Sequence, residues 1–269
     1  MTGAGRIRLT VVGCTGSFPG PDSPASCYLV EADDPAGRPW RLLLDLGNGA
    51  LGPLQRYLDL REIDAVLLSH LHPDHCLDLC GLYVARRYHP DRVEAAGPTE
   101  RLPVHGPSRT LDRLVHGYDL EGETAMAGQF AVHQWQHGVT VQVGPFTVTP
   151  FRVQHPVEAY GLRVEHDGAV LAYTGDTDSC PALLDLARDA DLLLAEASFQ
   201  EGRDTARGIH LTGRRAGQAA AQAGARRLLL THLPVWNDPQ VVLAEARGAF
   251  AGPVSVAGSG QVHEIRAGR

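Results

Sequence analysis

Two sheets packed face to face with helices on their outer sides, a four-layer αββα sandwich of the α/β class, is the fold this sequence predicts. Three observations carry that reading. Apolar runs of strand length are bounded by Gly, Pro and Asp, helical segments lie between them, and the alternation in the first half recurs in the second. The 269 residues suffice for a large buried core and are read as a single domain spanning 1–269.

In the first half, residues 7–12, 27–32, 40–45 and 65–69 read as strands. The second half offers 146–153, 161–165, 169–174, 191–196, 227–231 and 253–257. A helix is expected after His75, with Leu77, Gly81, Val84 and Tyr88 on one face before Pro90 stops it. Pro181 fits the first turn of another, running to Arg188. The clearest helix runs from Thr212 to Ala223, where alanines recur at helical spacing between a Thr N-cap and the stop at Gly224. Residues 97–145 are the least legible, with one short strand at 102–105 and one short helix, and read as a lid or a surface excursion.

Composition narrows the function classes. Hydrophobic residues make up 43% and charged residues 20%, which excludes disordered and collagen-like chains. All 24 basic residues are Arg, and the formal net charge is -7. That balance weighs against wrapping nucleic acid, which needs clustered cations on many phosphates. It does not oppose a small anionic substrate, because bound cations dominate the local field. Five dispersed cysteines without a CxxC pair read as reduced thiols. Arg6 and Arg8 interrupt any N-terminal signal-like run, and no apolar stretch approaches membrane length, so a cytoplasmic protein without membrane contact is expected.

The chemistry concentrates in DAVLLSHLHPDH, residues 64–75. A buried strand ends there and releases His70, His72, Asp74 and His75 within six residues. Alternation puts His70 and His72 on one side, while a turn at Pro73 brings Asp74 and His75 to a second position. A single histidine in a polar loop is usually a bystander; three with an aspartate after an apolar strand form a metal-ligand pattern. His155, Asp176 and His232 also stand where apolar strands end. Together they complete five His and two Asp, enough for two divalent cations with Asp176 as a bridge and one shared hydroxide as nucleophile.

HxHxDH, the later His155, the GDT at Asp176 and the THLP at His232 resemble the metallo-β-lactamase superfamily, and within it the ribonuclease Z-like branch. The resemblance implies His70, His72 and His155 on one metal, Asp74, His75 and His232 on the other, and Asp176 between them. It also implies a homodimer. His210 in IHLT resembles the branch's HxT element, which stands beside the reacting phosphate and can protonate a leaving alkoxide. Glu196 reads equally as orienting His210 or as an ordinary exposed strand-end carboxylate, Asp74 suits orienting the attacking hydroxide, and Asp45 in LLLDLGNG suits supporting the His loop rather than binding metal. Ser26 reads equally as a pocket-shaping or a turn residue. His89, His105, His116, His133, His137, His166 and His263 lack motif partners and read as structural or exposed.

GPDSPAS, LSHLHPDHCLDLCGLYVARRYHP and AAQAGARRLLLTHLPVW further resemble the actinobacterial atypical class II cyclic-nucleotide phosphodiesterases. That resemblance implies cleavage of 3′,5′-cyclic AMP or a related cyclic nucleotide to the 5′-monophosphate. Pro73 and Asp78 depart from the signature of the longer-known class II enzymes, which carry Leu and Gly there. Ribonuclease Z enzymes usually carry a long tRNA-gripping arm between the His and Asp motifs. Here His155 and Asp176 are 21 residues apart, and GLRVEHDGAVLAY between them reads as a hairpin turning at Asp167 and Gly168. tRNA processing therefore ranks below hydrolysis of a small phosphodiester. A lactonase or arylsulfatase-like hydrolase would use a similar ligand set, and a non-catalytic binding protein would not need the whole series. His and Asp ligands suit zinc as the default, with manganese or iron as alternatives. Arg86, Arg87, Arg214 and Arg215 stand as candidate phosphate or base contacts against the commoner reading as solvated helix faces.

Overall fold

Alternation along β1 (Arg6–Gly13) leaves Arg6 and Arg8 in solvent and buries Ile7, Leu9 and Val11, the period of two that a strand follows when one face is covered. The computed structural model describes residues 5–90, 100–122 and 125–268. One sheet gathers β1, β2 (Cys27–Asp33), β3 (Pro39–Leu44), β4 (Ala65–Leu67), β5 (Leu102–Gly106), β6 (Phe130–Gln134) and β14 (Val262–Arg266). Its order is β14-β1-β2-β3-β4-β5-β6, antiparallel through β3 and parallel beyond it. The other gathers β7 (Val141–Val143), β8 (Phe146–Arg152), β9 (Tyr160–His166), β10 (Ala169–Tyr173), β11 (Leu192–Glu196), β12 (Leu228–Thr231) and β13 (Val254–Val256). Its order is β13-β12-β11-β10-β9-β8-β7, parallel from β13 to β10 and antiparallel from β10 to β7.

Ile7, Leu9, Tyr28 and Leu44 of the first sheet meet Leu162, Val164, Leu171 and Leu194 of the second in a shared interior. The opposite face of the first sheet is covered by the helices Leu79–Tyr88 and Thr110–Gly117, through Leu79, Leu82 and Leu114. The helices Ala182–Leu186, Gly213–Ala223 and Pro239–Arg247 cover the second, through Leu186, Ala216, Ala220 and Val242. Helix, sheet, sheet and helix make the four-layer sandwich that the alternating pattern predicts. Thr212 caps its helix by accepting from the Arg215 amide, and Gly224 ends it at φ 71°. Asp167 (φ 45°) and Gly168 (φ 83°) turn the β9–β10 hairpin with His166 opposite Ala169.

Three expectations change. The helix after His75 is broken: Pro73–Cys76 forms one turn, and Leu79–Tyr88 starts anew beyond Asp78, whose carboxylate accepts from the Leu51 amide at 2.8 Å. The restart shifts the phase, so Leu79, Cys80, Leu82, Tyr83 and Arg86 face inward while Val84 and Tyr88 are exposed. The segment 97–145 is not an excursion from the sandwich, because it supplies β5, β6 and β7; residues 97–99 and 123–124 lie outside the described residues. β14 and the helix Pro239–Arg247 are additional to the expected elements. Among the described residues, no helix is long and apolar enough to cross a membrane.

Parallel pairing fixes where the site falls. Tyr173 lies opposite Leu194 and Glu196 opposite Thr231, so β10, β11 and β12 release Asp176, Glu196 and His232 at one edge. Carboxyl ends of parallel strands are where open α/β sheets place their ligands.

Candidate metal centre

β3 and β4 end side by side, and the chain beyond β3 enters the left-handed region at Asp45 (φ 59°). That backbone turn carries a fully buried carboxylate beneath the histidine loop. Asp45 Oδ1 accepts from the Ser69 amide, and Oδ2 accepts from Ser69 Oγ, His75 Nδ1 and Tyr173 Oη, each at 2.7 Å. His232 is likewise left-handed (φ 59°) directly after β12. Strain of about 1–3 kcal/mol at such residues persists only where surrounding contacts enforce it.

The structure brings His70, His72, His155 and Asp176 into one group and Asp74, His75, His232 and Asp176 into another, with ligand atoms in each group within 4.8 Å of one another. In the first, His70 Nε2 and His72 Nδ1 are 3.0 Å apart, His155 Nε2 lies 3.3 Å from His72 Nδ1, and Asp176 Oδ2 lies 3.7 Å from His70 Nε2. In the second, His75 Nε2 and His232 Nε2 are 3.2 Å apart, with Asp74 Oδ2 3.1 Å from His232 Nε2 and Asp176 Oδ1 3.3 Å from His75 Nε2. The two oxygens of Asp176 thus face different groups.

Outer hydrogen bonds fix which imidazole nitrogen is bare. Ser69 Oγ gives its proton to Asp45, so it accepts from His70 Nδ1 at 3.1 Å. Ser198 Oγ donates to the His232 carbonyl and accepts from His232 Nδ1, both at 2.7 Å. His75 Nδ1 donates to Asp45, and His155 Nδ1 donates to the Ile209 carbonyl at 2.9 Å. Each of these rings therefore turns a lone pair on Nε2 toward the centre, the arrangement by which hydrogen-bonded histidines serve as metal ligands.

The donor set fits divalent cations. Burial, reinforced by neighbouring imidazoles, holds His70 well below its ordinary pKa and also lowers His72. Burial lowers His155 as well. Against the burial that would raise them, His75 and His232 keep the carboxyls of Asp74 and Asp176 well below the usual carboxylate range. Neutral imidazoles and ionised carboxylates are the forms that bind metal. Against burial, Asp176, Asp74 and Asp45 raise His75 well above its ordinary pKa, so a cation entering the second group would take the place of the Nε2 proton that these carboxylates favour. Asp176 Oδ1 is buried with no hydrogen-bond partner among the described residues, an expense of about 1–3 kcal/mol that a cation would offset.

His210 and Glu196 stand beside both groups. His210 Nδ1 donates to Glu196 Oε1 at 2.8 Å and lies 3.9 Å from Asp176 Oδ2. Against burial, which alone would depress it, Glu196 raises His210 to about 9. Arg215 turns inward, pairing with Asp178 and donating to the His210 carbonyl at 3.1 Å, while Arg214 is exposed. Arg86 is buried and donates to the Glu100 carbonyl, and Arg87 lies over the rings of Tyr83 and Tyr88. Ser26 is buried, with its amide on the Asp74 carbonyl. Sequence reasoning overlooked Ser69, Tyr173, Asp178 and Ser198, and it named Arg215 only as a candidate substrate contact, whereas its guanidinium bonds Asp178 and the His210 carbonyl. Only Ser69 carried a local signal, its place between the end of β4 and His70.

Residues 40–233 match the β-lactamase superfamily domain family. The chain belongs to the metallo-β-lactamase superfamily. A Mycobacterium leprae protein is 45% identical over 267 residues, covering 97% of this chain and 89% of that one. The probable metallo-hydrolase YhfI of Bacillus subtilis is 32% identical over 259 residues, covering 96% of this chain and all of that one. The YhfI crystal structure superposes with a TM-score of 0.84 at 31% identity, covering 96% and 99% of the two chains. Ribonuclease Z of Myxococcus xanthus is 28% identical over 314 residues, covering 96% of this chain and 98% of its own. That alignment is longer than this chain's 269 residues, so the ribonuclease carries segments absent here. These relationships make the chain a metallo-hydrolase of the ribonuclease Z-like branch, in a superfamily that generally binds two divalent metals.

Proposed function

We propose that this metallo-hydrolase is a phosphodiesterase for small substrates, converting 3′,5′-cyclic AMP or a related cyclic nucleotide to the 5′-monophosphate. The observation that carries the reading is the placement of His210, held by Glu196 at the side of Asp176 where both ligand groups meet, with the Glu196 carboxylate favouring its protonated form. Phosphodiester cleavage releases an alkoxide and builds negative charge on phosphoryl oxygens, and a fixed imidazolium answers both.

His70, His72, His155 and Asp176 would hold one cation, and Asp74, His75, His232 and Asp176 the other. Two divalent cations there, zinc or in its place manganese or iron, supply Lewis acidity to the phosphoryl oxygens and lower the pKa of a water. With Nδ1–H committed to Glu196, His210 has its Nε2 proton to give to the leaving oxygen. Asp74, ionised against the edge of the second group, accepts a hydrogen bond from the attacking water and orients it. Asp45 acts at a distance, keeping His75 and His70 in the tautomers described above.

The short β9–β10 hairpin supports a small substrate over tRNA. It fills the interval between His155 and Asp176, and the chain's net charge of -7 weighs against a surface that holds a folded RNA through many phosphate contacts. The deciding experiment incubates the metal-quantified protein with 3′,5′-cyclic AMP, beside a tRNA precursor and a lactone. Release of 5′-AMP that a chelator abolishes is the expected result. Two bound metals with no turnover of any cyclic nucleotide, or faster cleavage of the tRNA or lactone, would overturn it.

A further inference from the structure

A cleft of about 430 Å³ opens beside the first ligand group, with His72 in its wall. That volume lies within the range of small-molecule sites, roughly 300–1,000 Å³. Leu71, Pro107 and Val157 line it with apolar surface, and Arg113 adds a half-buried guanidinium. The other charged groups of the cleft are committed. Arg109 and His116 both pair with Asp112, and Glu158 accepts from Ser108 and Tyr160. Arg113 differs. Its Nε donates to the Leu71 carbonyl at 3.2 Å, the peptide group directly before His72, its guanidinium also faces the buried Cys76 thiol, and no carboxylate among the described residues pairs with the cation.

We propose that this cleft is the nucleoside subsite and that Arg113 is its specificity-determining residue. The inference rests on the phosphodiesterase reading, and it names where the part of the substrate remote from the scissile phosphate is recognised. With the phosphate at Asp176, the cleft wall at His72 is the adjoining surface. Arginine only donates hydrogen bonds, and its planar head also stacks on π-faces. It therefore suits the ring-nitrogen and carbonyl acceptors of a nucleobase, while Val157 and Pro107 suit the ring's apolar body. The Nε anchor to Leu71 and the contact with Cys76 fix the guanidinium before substrate arrives, so the N–H groups left over are already placed and the ordering cost of recognition is reduced.

The test measures equilibrium binding to the metal-loaded protein by calorimetry, using 5′-AMP and ribose 5-phosphate, which share a phosphorylated ribose and differ in the base. The wild-type protein binds 5′-AMP more tightly. Arg113→Met lowers 5′-AMP affinity by roughly 10-fold or more, as expected for hydrogen bonds to a charged donor, and leaves ribose 5-phosphate unchanged. Arg113→Lys restores only part of the difference, because it lacks the planar fork. Val157→Trp, substituted at a surface position that is 38% exposed, fills the cleft from another wall and also removes the preference for 5′-AMP, which guards against misfolding in the Arg113 variant. Equal wild-type affinities for the two ligands, or a preference for 5′-AMP that survives both Arg113→Met and Val157→Trp, would overturn the subsite. Failure of the phosphodiesterase reading is separate, since it shows as absent hydrolysis in the wild-type protein.

Discussion

Glu196 accepts a hydrogen bond from His210 Nδ1 at 2.8 Å, and the same carboxylate accepts from the amides of Thr177 and Ser198. Thr177 follows Asp176, and Ser198 holds His232 Nδ1. A single buried side chain at the end of β11 thus ties together the bridging carboxylate, one ligand histidine and the candidate acid. His210→Ala should keep the wild-type metal content, because its ring is outside both four-residue ligand groups, and should lose most turnover, by a factor of about 10²–10⁴. Full activity in the metal-replete variant would remove His210 from catalysis.

Glu196→Gln tests the electrostatic half of that pair. A general acid is active when protonated, so wild-type turnover should fall as pH rises through the His210 pKa of about 9. Gln keeps a hydrogen-bond acceptor but removes the charge, so the alkaline limb should move down toward the ordinary imidazole value of 6.5. A pH–rate profile of the two proteins decides the matter. Superimposed alkaline limbs would show that Glu196 does not set the protonation of His210.

Asp45 should matter to stability and metal affinity together. All its oxygens face donors, three of them on Oδ2. Asp45→Asn puts an amide N–H against one of those sets and leaves buried donors unpaired, costing about 3 kcal/mol of unfolding free energy. The loosened His75 ring should weaken metal binding about 10–100-fold. Denaturant unfolding of the metal-free protein and a competitive metal titration separate the effects. Unchanged affinity with lowered stability would leave Asp45 with a purely structural role.

Removing ligands should distinguish the two groups. His72→Ala affects only the first, whereas Asp176→Asn weakens both. Elemental analysis should find about one metal equivalent lost in the former and both in the latter. A chelator should lower the melting temperature of the wild-type protein, since ligands that bind only the native state stabilise it, and should change that of Asp176→Asn much less.

The sequence made the ligand positions legible because each follows an apolar strand. β4, β10 and β12 are buried throughout, and such runs ending in His or Asp stand out without knowledge of pairing. The two-sheet fold was legible for the same reason. What escaped depends on partners distant along the chain. Ser198 reaches His232 across 34 positions and Tyr173 reaches Asp45 across 128, so neither has a local pattern. β14 is mostly half-buried or exposed, and β6 buries only Phe130 fully, leaving weak alternation to detect. The helix face after His75 was misassigned because Asp78 bonds to Leu51 and resets the helical phase, a tertiary contact that overrides local periodicity.

Gly175 offers a test of how tightly the bridge is placed. It lies between β10 and Asp176 at φ 55°, a left-handed conformation that costs a side chain about 1 kcal/mol. A Cβ there would also stand 2.7 Å from Ser69 Cβ and 3.0 Å from the Tyr160 carbonyl. Ser69 belongs to the Asp45 network and cannot retreat without disturbing His70. Gly175→Ala should therefore lose about 1–3 kcal/mol of stability from overpacking and strain and, by displacing Asp176, should weaken both metals rather than one. Thermal melts of the metal-free variant read the first effect, and elemental analysis after dialysis reads the second. If stability falls while both metals are retained, the position of Asp176 is set by its own contacts with the ligand histidines, and the turn at Gly175 merely accommodates it.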